Sequence, residues 1–144
     1  MSIFADDTGC QQYRALFTFD RLPTKQRPRF AGGHTYTPKA TLAAEKYIRE
    51  TYISQAPYRG AYEGEVWIQI LIQRHKPKSA PKRVIGTPDL KMPDADNVAK
   101  LFCDALNGIA YKDDRQITNL VVTFKPLSGE DHTTVELRIF YLGE

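Results

Sequence analysis

The segment EVWIQILIQR, residues 65–74, alternates strictly. Val66, Ile68, Ile70 and Ile72 share one parity, and Trp67, Gln69, Leu71 and Gln73 share the other. A period of two over this length predicts a β-strand with one face fully buried. The other face is half apolar, which predicts partial cover by a helix of the same chain or by a second subunit. YRALFTFD (13–20) alternates similarly and predicts a first strand, with Ala15, Phe17 and Phe19 on one side. QITNLVVTFK and TTVELRIFYL predict two more strands, which the spacing joins as a hairpin through PLSGEDH.

Two segments change period. TPKATLAAEKYIRETY (37–52) places Ala44, Tyr47, Ile48 and Thr51 on one helical face, with Thr37 as the expected N-cap and Pro38 in the first turn. From Val98 the apolar residues are Val98, Leu101, Phe102, Ala105, Leu106 and Ile109, a one-sided stripe at helical spacing that Gly108 is placed to end. The order is β-α-β-α-β-β. It predicts an α+β fold in which two helices pack on one mixed four-stranded sheet. Residues 1–12 read as a flexible arm, and HKPKSAPKRVIGTPDLKMP as an exposed loop without a period.

Composition narrows the function classes only a little. The chain has 144 residues and a net charge of +3, too modest to prove a polyanionic partner. Two cysteines without a CxxC pattern argue for a reducing compartment, and the three histidines lack metal-ligand spacing. No apolar run approaches a spanning helix, and the N-terminal residues do not read as a signal peptide, so the expected location is cytoplasmic.

Charge distribution is more informative. PDADNVAKLFCDALNGIAYKDD, residues 93–114, holds five aspartates: Asp94, Asp96, Asp104, Asp113 and Asp114. Asp96, Lys100, Asp104 and Asn107 fall opposite the apolar stripe. Asp94 precedes the helix, where it and Asp96 can converge beside the N-terminus. Asp113 and Asp114 follow the helix. A helix of about 12 residues is roughly 18 Å long, so these last two sit at the wrong end to share an ion with Asp94. Either the turn folds back, or the chain approaches differently, or a second subunit supplies the missing carboxylate. A solvated face is the plain alternative, since Asp96–Lys100 and Lys100–Asp104 are i,i+4 pairs contributing about 0.2–0.5 kcal/mol each. Carboxylate oxygens suit hard Mg²⁺, and an adjacent lysine suits a phosphate, which favours a cation site for phosphate chemistry.

Two basic segments flank this acidic one. Lys25, Arg27 and Arg29 lie within KQRPRF, and the 74–91 loop carries Arg74, Lys76, Lys78, Lys82, Arg83 and Lys91 against a single acid, Asp89. Positive arms beside carboxylates suit a nuclease, the arms holding backbone phosphates while the acids hold a metal. Tyr36, Tyr58, Tyr62 and Tyr111 are candidates for base stacking, although tyrosines near a sheet more often belong to the core.

PDADNVAKLFCDALNGIAYKDDRQI resembles the signature of the RusA-type Holliday junction resolvases, D-x-D-N-x-x-K followed by D-A-L-N-G and a D-D-x-Q turn. The resemblance extends from about residue 13 and implies one nuclease domain over 13–144. It implies a homodimeric, Mg²⁺-dependent endodeoxyribonuclease (Mn²⁺ substituting) that cuts four-way DNA junctions by paired symmetric nicks in recombination and repair. Carried over by position, Asp94, Asp96 and Asp114 are the metal-binding and catalytic acids and Lys100 matches the family's essential, catalytic basic residue. Asp113 is a neighbour, and Asp104 a supporting residue. Lys25, Arg27, Arg29, Lys76, Lys78, Lys82 and Arg83 are the expected DNA contacts. Met92 departs from the pattern, where the family often carries a basic residue. The competing readings are a nuclease for other branched or flapped DNA and a non-catalytic branched-DNA-binding protein.

Overall fold

The computed structural model describes residues 10–25, 29–91 and 95–143. Strand β1 (Gln11–Phe19) is followed by a small hairpin, β2 (Arg29–Ala31) and β3 (His34–Tyr36). Helix α1 (Lys39–Gln55), β4 (Val66–Gln73), α2 (Ala95–Leu106), β5 (Ile117–Phe124) and β6 (Thr133–Tyr141) complete the chain. The main sheet has the order β1-β6-β4-β5 and is mixed: β6 runs antiparallel to β1 and β4, whereas β5 runs parallel to β4. The α+β architecture thus follows the hydrophobic pattern, with β2–β3 as an addition in the segment opened by Gly32 and Gly33.

The core forms where the two periods meet. Val66, Ile68, Ile70 and Ile72 are fully buried, in one cluster with Ile48 and Tyr52 of α1 and Val98, Leu101, Phe102, Ala105 and Leu106 of α2. Phe102 sits edge-on to Phe17 of β1 with ring centroids 5.3 Å apart. Full burial of each large apolar side chain contributes about 1.5–3 kcal/mol. Strand β1 lies at a sheet edge, and α1 covers part of its open backbone. Gln55 exchanges hydrogen bonds with both main-chain groups of Leu16 at 2.7 Å, and the Tyr47 hydroxyl donates to the Thr18 carbonyl at 2.8 Å. Such cover removes a template for edge pairing.

Three expectations need correction. Helix α1 begins at Lys39 with Pro38 as its N-cap and no side-chain cap, so Thr37 does not cap it. Its buried face is Thr41, Ile48 and Tyr52, while Tyr47 turns toward the β1 edge. The segment PLSGEDH is not a hairpin, because β5 and β6 flank β4 on opposite sides. The connection crosses the exit of β4 and is pinned there: Lys125 N donates to Ile72 O at 2.7 Å, Ser128 N to Arg74 O at 2.9 Å, and Lys76 N to Ser128 O at 3.0 Å. Alternation identifies a strand but not its neighbour, and the parallel pairing of β5 follows from the α2 crossover instead.

The 74–91 segment is also more ordered than a periodless loop suggests. It contains a 3₁₀ turn at Lys82–Val84, and Gly86 N and Leu127 N tie it to the crossing connection. Arg74 makes two hydrogen bonds to Asp89, at 2.8 and 2.7 Å, and the Asp89 side chain is 2% exposed. The guanidinium therefore organises the loop from inside.

Candidate active site

Helix α2 presents its apolar stripe to the sheet and leaves Asp96, Lys100 and Asp104 along the opposite flank, as 3.6 residues per turn requires. Its last carbonyls do not end in solvent. Arg49 Nε donates to Ala105 O at 3.2 Å, and the buried Tyr111 hydroxyl donates to Cys103 O at 2.6 Å. The second bond sets the course of the chain, because Tyr111 reaches it only if residues 107–113 turn back along the helix. Gly108, at φ +84°, supplies the reversal. Arg59 N donates to Ile109 O at 2.7 Å, and Tyr141 Oη donates to Ala110 O at 2.5 Å, fixing the returning segment against the sheet.

The return ends in a 3₁₀ turn at Asp114–Gln116 held by a reciprocal capping box. Asp113 Oδ1 accepts from Arg115 N at 2.9 Å, and Gln116 Oε1 accepts from Asp113 N at 2.7 Å. Gln116 Nε2 then donates to Tyr62 O at 2.7 Å and Gly64 O at 2.8 Å. The sequence reading assigned Gln116 no role. The signal was the Asp113-x-x-Gln116 spacing, which is that of a capping box.

Asp114 is thereby delivered to the flank of α2. Asp96, Lys100, Asp104 and Asp114 line one cavity of about 320 Å³, together with Ala99, Cys103, Ile117 and Leu120. The turn thus folds back far enough to bring Asp114 to the cavity that Asp96 lines. Asp94, Arg27 and Gln26 lie outside the described residues.

The two adjacent aspartates differ electrostatically. Donation from the Arg115 amide holds the Asp113 carboxyl below its ordinary range. Burial, followed by the nearby Asp113 and Asp104 carboxyls, pushes Asp114 up, and Lys100 draws it partly back. A carboxylate facing like charges in an all-oxygen donor set suits a hard divalent cation. Among the described residues, no three His, Cys, Asp or Glu groups form a ready-made ion cage. Burial raises the Cys103 thiol to about 12, so it stays protonated and is no nucleophile.

The expected DNA contacts divide into several situations. Lys78, Lys82 and Arg83 are exposed, whereas Lys76 Nζ donates to Ala80 O at 3.0 Å. Arg29 starts β2. Lys25 is held inside the protein, its ammonium 3.1 Å from both Glu45 and Asp104. Among the tyrosines, Tyr111 is fully buried and Tyr62 donates to Leu142 O at 2.5 Å, so both are structural. Tyr58 is 69% exposed.

Among the described residues, no helix is long and apolar enough to cross a membrane. No curated protein matches the chain. The family model for endodeoxyribonuclease RusA matches residues 21–139, which include the whole cavity and the turn that delivers Asp114. The chain belongs to the RusA family of endodeoxyribonucleases.

Proposed function

We propose that the chain is a cytoplasmic, Mg²⁺-dependent endodeoxyribonuclease that resolves Holliday junctions by paired symmetric nicks in DNA recombination and repair. The observation that carries this reading is the gathering of Asp96, Lys100 and Asp114 around one cavity in a chain of the RusA family. Asp94, Asp96 and Asp114 are the residues that would hold Mg²⁺, or Mn²⁺ in its place. When bound, such an ion neutralises phosphate charge and lowers the pKa of water.

The chain's own groups do the rest. Lys100, with its side chain 63% exposed, places an ammonium at the cavity to stabilise charge on the phosphate or its leaving oxygen. Lys78, Lys82 and Arg83, with Arg27, Arg29 and Lys76, bind the DNA backbone rather than base edges, so junction shape supplies selectivity. Paired nicks need two such sites, and a homodimer provides them.

The test is incubation of the purified protein with a synthetic four-way junction and a matched linear duplex, in Mg²⁺ and in Ca²⁺. Paired nicks confined to the junction are expected, lost in Asp96→Asn while junction binding survives. Equal cutting of the linear duplex would sink junction selectivity. No cutting in Mg²⁺ or Mn²⁺ would sink the enzyme. Sedimentation of the free protein as a monomer at the assay concentration would remove the dimer.

A further inference from the structure

Behind the cavity lies a chain of charges that connects α1 to Lys100. Lys25 Nζ is 3.1 Å from Glu45 of α1 and 3.1 Å from Oδ2 of Asp104 on α2. The same Asp104 oxygen is 4.0 Å from Lys100 Nζ. Negative and positive groups alternate: Glu45, Lys25, Asp104, Lys100. The inner three side chains are 14, 19 and 25% exposed, and only Lys100 is open to solvent. Lys25 is also fixed through its backbone, whose N–H donates to Asn97 O in the first turn of α2 at 3.2 Å.

We propose that Lys25 is a positioning residue of the nuclease: by neutralising Asp104 it leaves the Lys100 ammonium available to the phosphate. The proposal rests on the nuclease reading above. One carboxylate oxygen stands between two ammoniums, and the distances show which holds it. Asp104 is committed to Lys25 at 3.1 Å, while Lys100 at 4.0 Å stands at the outer limit of an ion pair.

Removing the Lys25 charge changes this balance in two ways. Asp104 becomes a partly buried anion whose remaining ion-pair partner among the described residues is Lys100, one helical turn away, and a direct pair draws that ammonium toward the helix. The cavity, already lined by Asp96 and Asp114, also gains an unneutralised carboxylate that opposes the extra negative charge developing on the phosphate as it reacts. Both effects fall on the chemical step. They do not require Lys25 to touch DNA, and an ammonium enclosed by two carboxylates has little surface left for a phosphate.

The experiment compares wild type, Lys25→Met, Lys25→Arg and the double variant Lys25→Met/Asp104→Asn. It measures junction affinity in Ca²⁺, single-turnover cleavage in Mg²⁺ and thermal melting. Lys25→Met is expected to lower the cleavage rate by about tenfold or more, with the dissociation constant and its salt dependence unchanged. Lys25→Arg should retain most of the rate. The double variant should cut faster than Lys25→Met, because an amide at position 104 no longer captures Lys100.

A weaker dissociation constant with a shallower salt dependence in Lys25→Met would make Lys25 a phosphate contact and overturn the proposal. So would an unchanged rate, or a loss that Asp104→Asn fails to relieve. A wild type that cuts nothing in Mg²⁺ or Mn²⁺ overturns the nuclease reading and this inference with it. A cutting wild type with an equally active Lys25→Met overturns this inference alone.

Discussion

Asp113 and Asp114 are adjacent and chemically identical, yet the turn gives them opposite work. Asp113 spends its oxygen on the Arg115 amide, and Asp114 turns to the cavity, where burial and neighbouring carboxyls disfavour its charge. A carboxyl whose pKa is raised in the folded state binds its proton more tightly there than in the unfolded chain. The stability this contributes is fully present below the ordinary aspartate value of 3.8 and is lost as pH rises through the raised value. At pH 7 the ionised group therefore weighs against folding. In the presence of a chelator, Asp114→Asn should melt at a higher temperature than wild type at pH 7, and the gain should shrink as pH falls below the ordinary value. The same variant should lose Mg²⁺-dependent cleavage. Calorimetry at the two pH values checks the first expectation, and a lower melting temperature at pH 7 would contradict it. The paired aspartates were legible in the sequence as a motif. Their division of labour was not, because it depends on which carboxyl meets the Arg115 amide.

At the scale of elements, the decisive feature is the path from the end of α2 to the start of β5. The helix itself was readable, since its stripe is a local period; its observed bounds, Ala95–Leu106, hold that stripe except for Ile109, which falls in the reversal after the helix. The return was not readable, because it is fixed by partners distant in sequence. Gly60 is one of them. A Cβ there would collide with the carbonyl oxygen of Gly108 and with the Tyr58 ring. The tyrosine can move aside, but the carbonyl belongs to the reversal itself. Gly60→Ala should therefore destabilise the fold by about 1–3 kcal/mol, the usual range for overpacking. It should also slow cleavage beyond what the fraction unfolded explains, because the displaced return carries Asp114. Denaturant melts paired with single-turnover rates measure both effects, and a fully stable, fully active variant would show that the return is set elsewhere. The same distinction explains the mistaken hairpin. Each strand was visible by its alternation, but the crossing of residues 125–132 over β4 depends on main-chain bonds to Ile72 and Arg74.

For the whole molecule, the net charge of +3 says less than where the charges are spent. Lys25 and Arg74 both belong to basic segments, and both face inward onto carboxylates. Lys78, Lys82 and Arg83 remain exposed on a lobe whose shape is held by the Arg74–Asp89 pair and by the 125–128 connection. A count of lysines and arginines cannot separate these two groups, because the difference lies in the acids that the fold brings to each. Only the exposed group should respond to salt as phosphate contacts do. Each phosphate neutralised on duplex DNA contributes about 0.9 to the slope of log affinity against log salt concentration. Replacing Lys78, Lys82 and Arg83 together by alanine should therefore weaken junction binding and flatten that slope by about 2–3. The melting temperature should barely move, because exposed charges contribute little to stability. Fluorescence anisotropy in Ca²⁺ across a salt series measures the slope directly. An unchanged slope would place the DNA on another face, whereas a large fall in melting temperature would mean that these residues hold the lobe together rather than the nucleic acid.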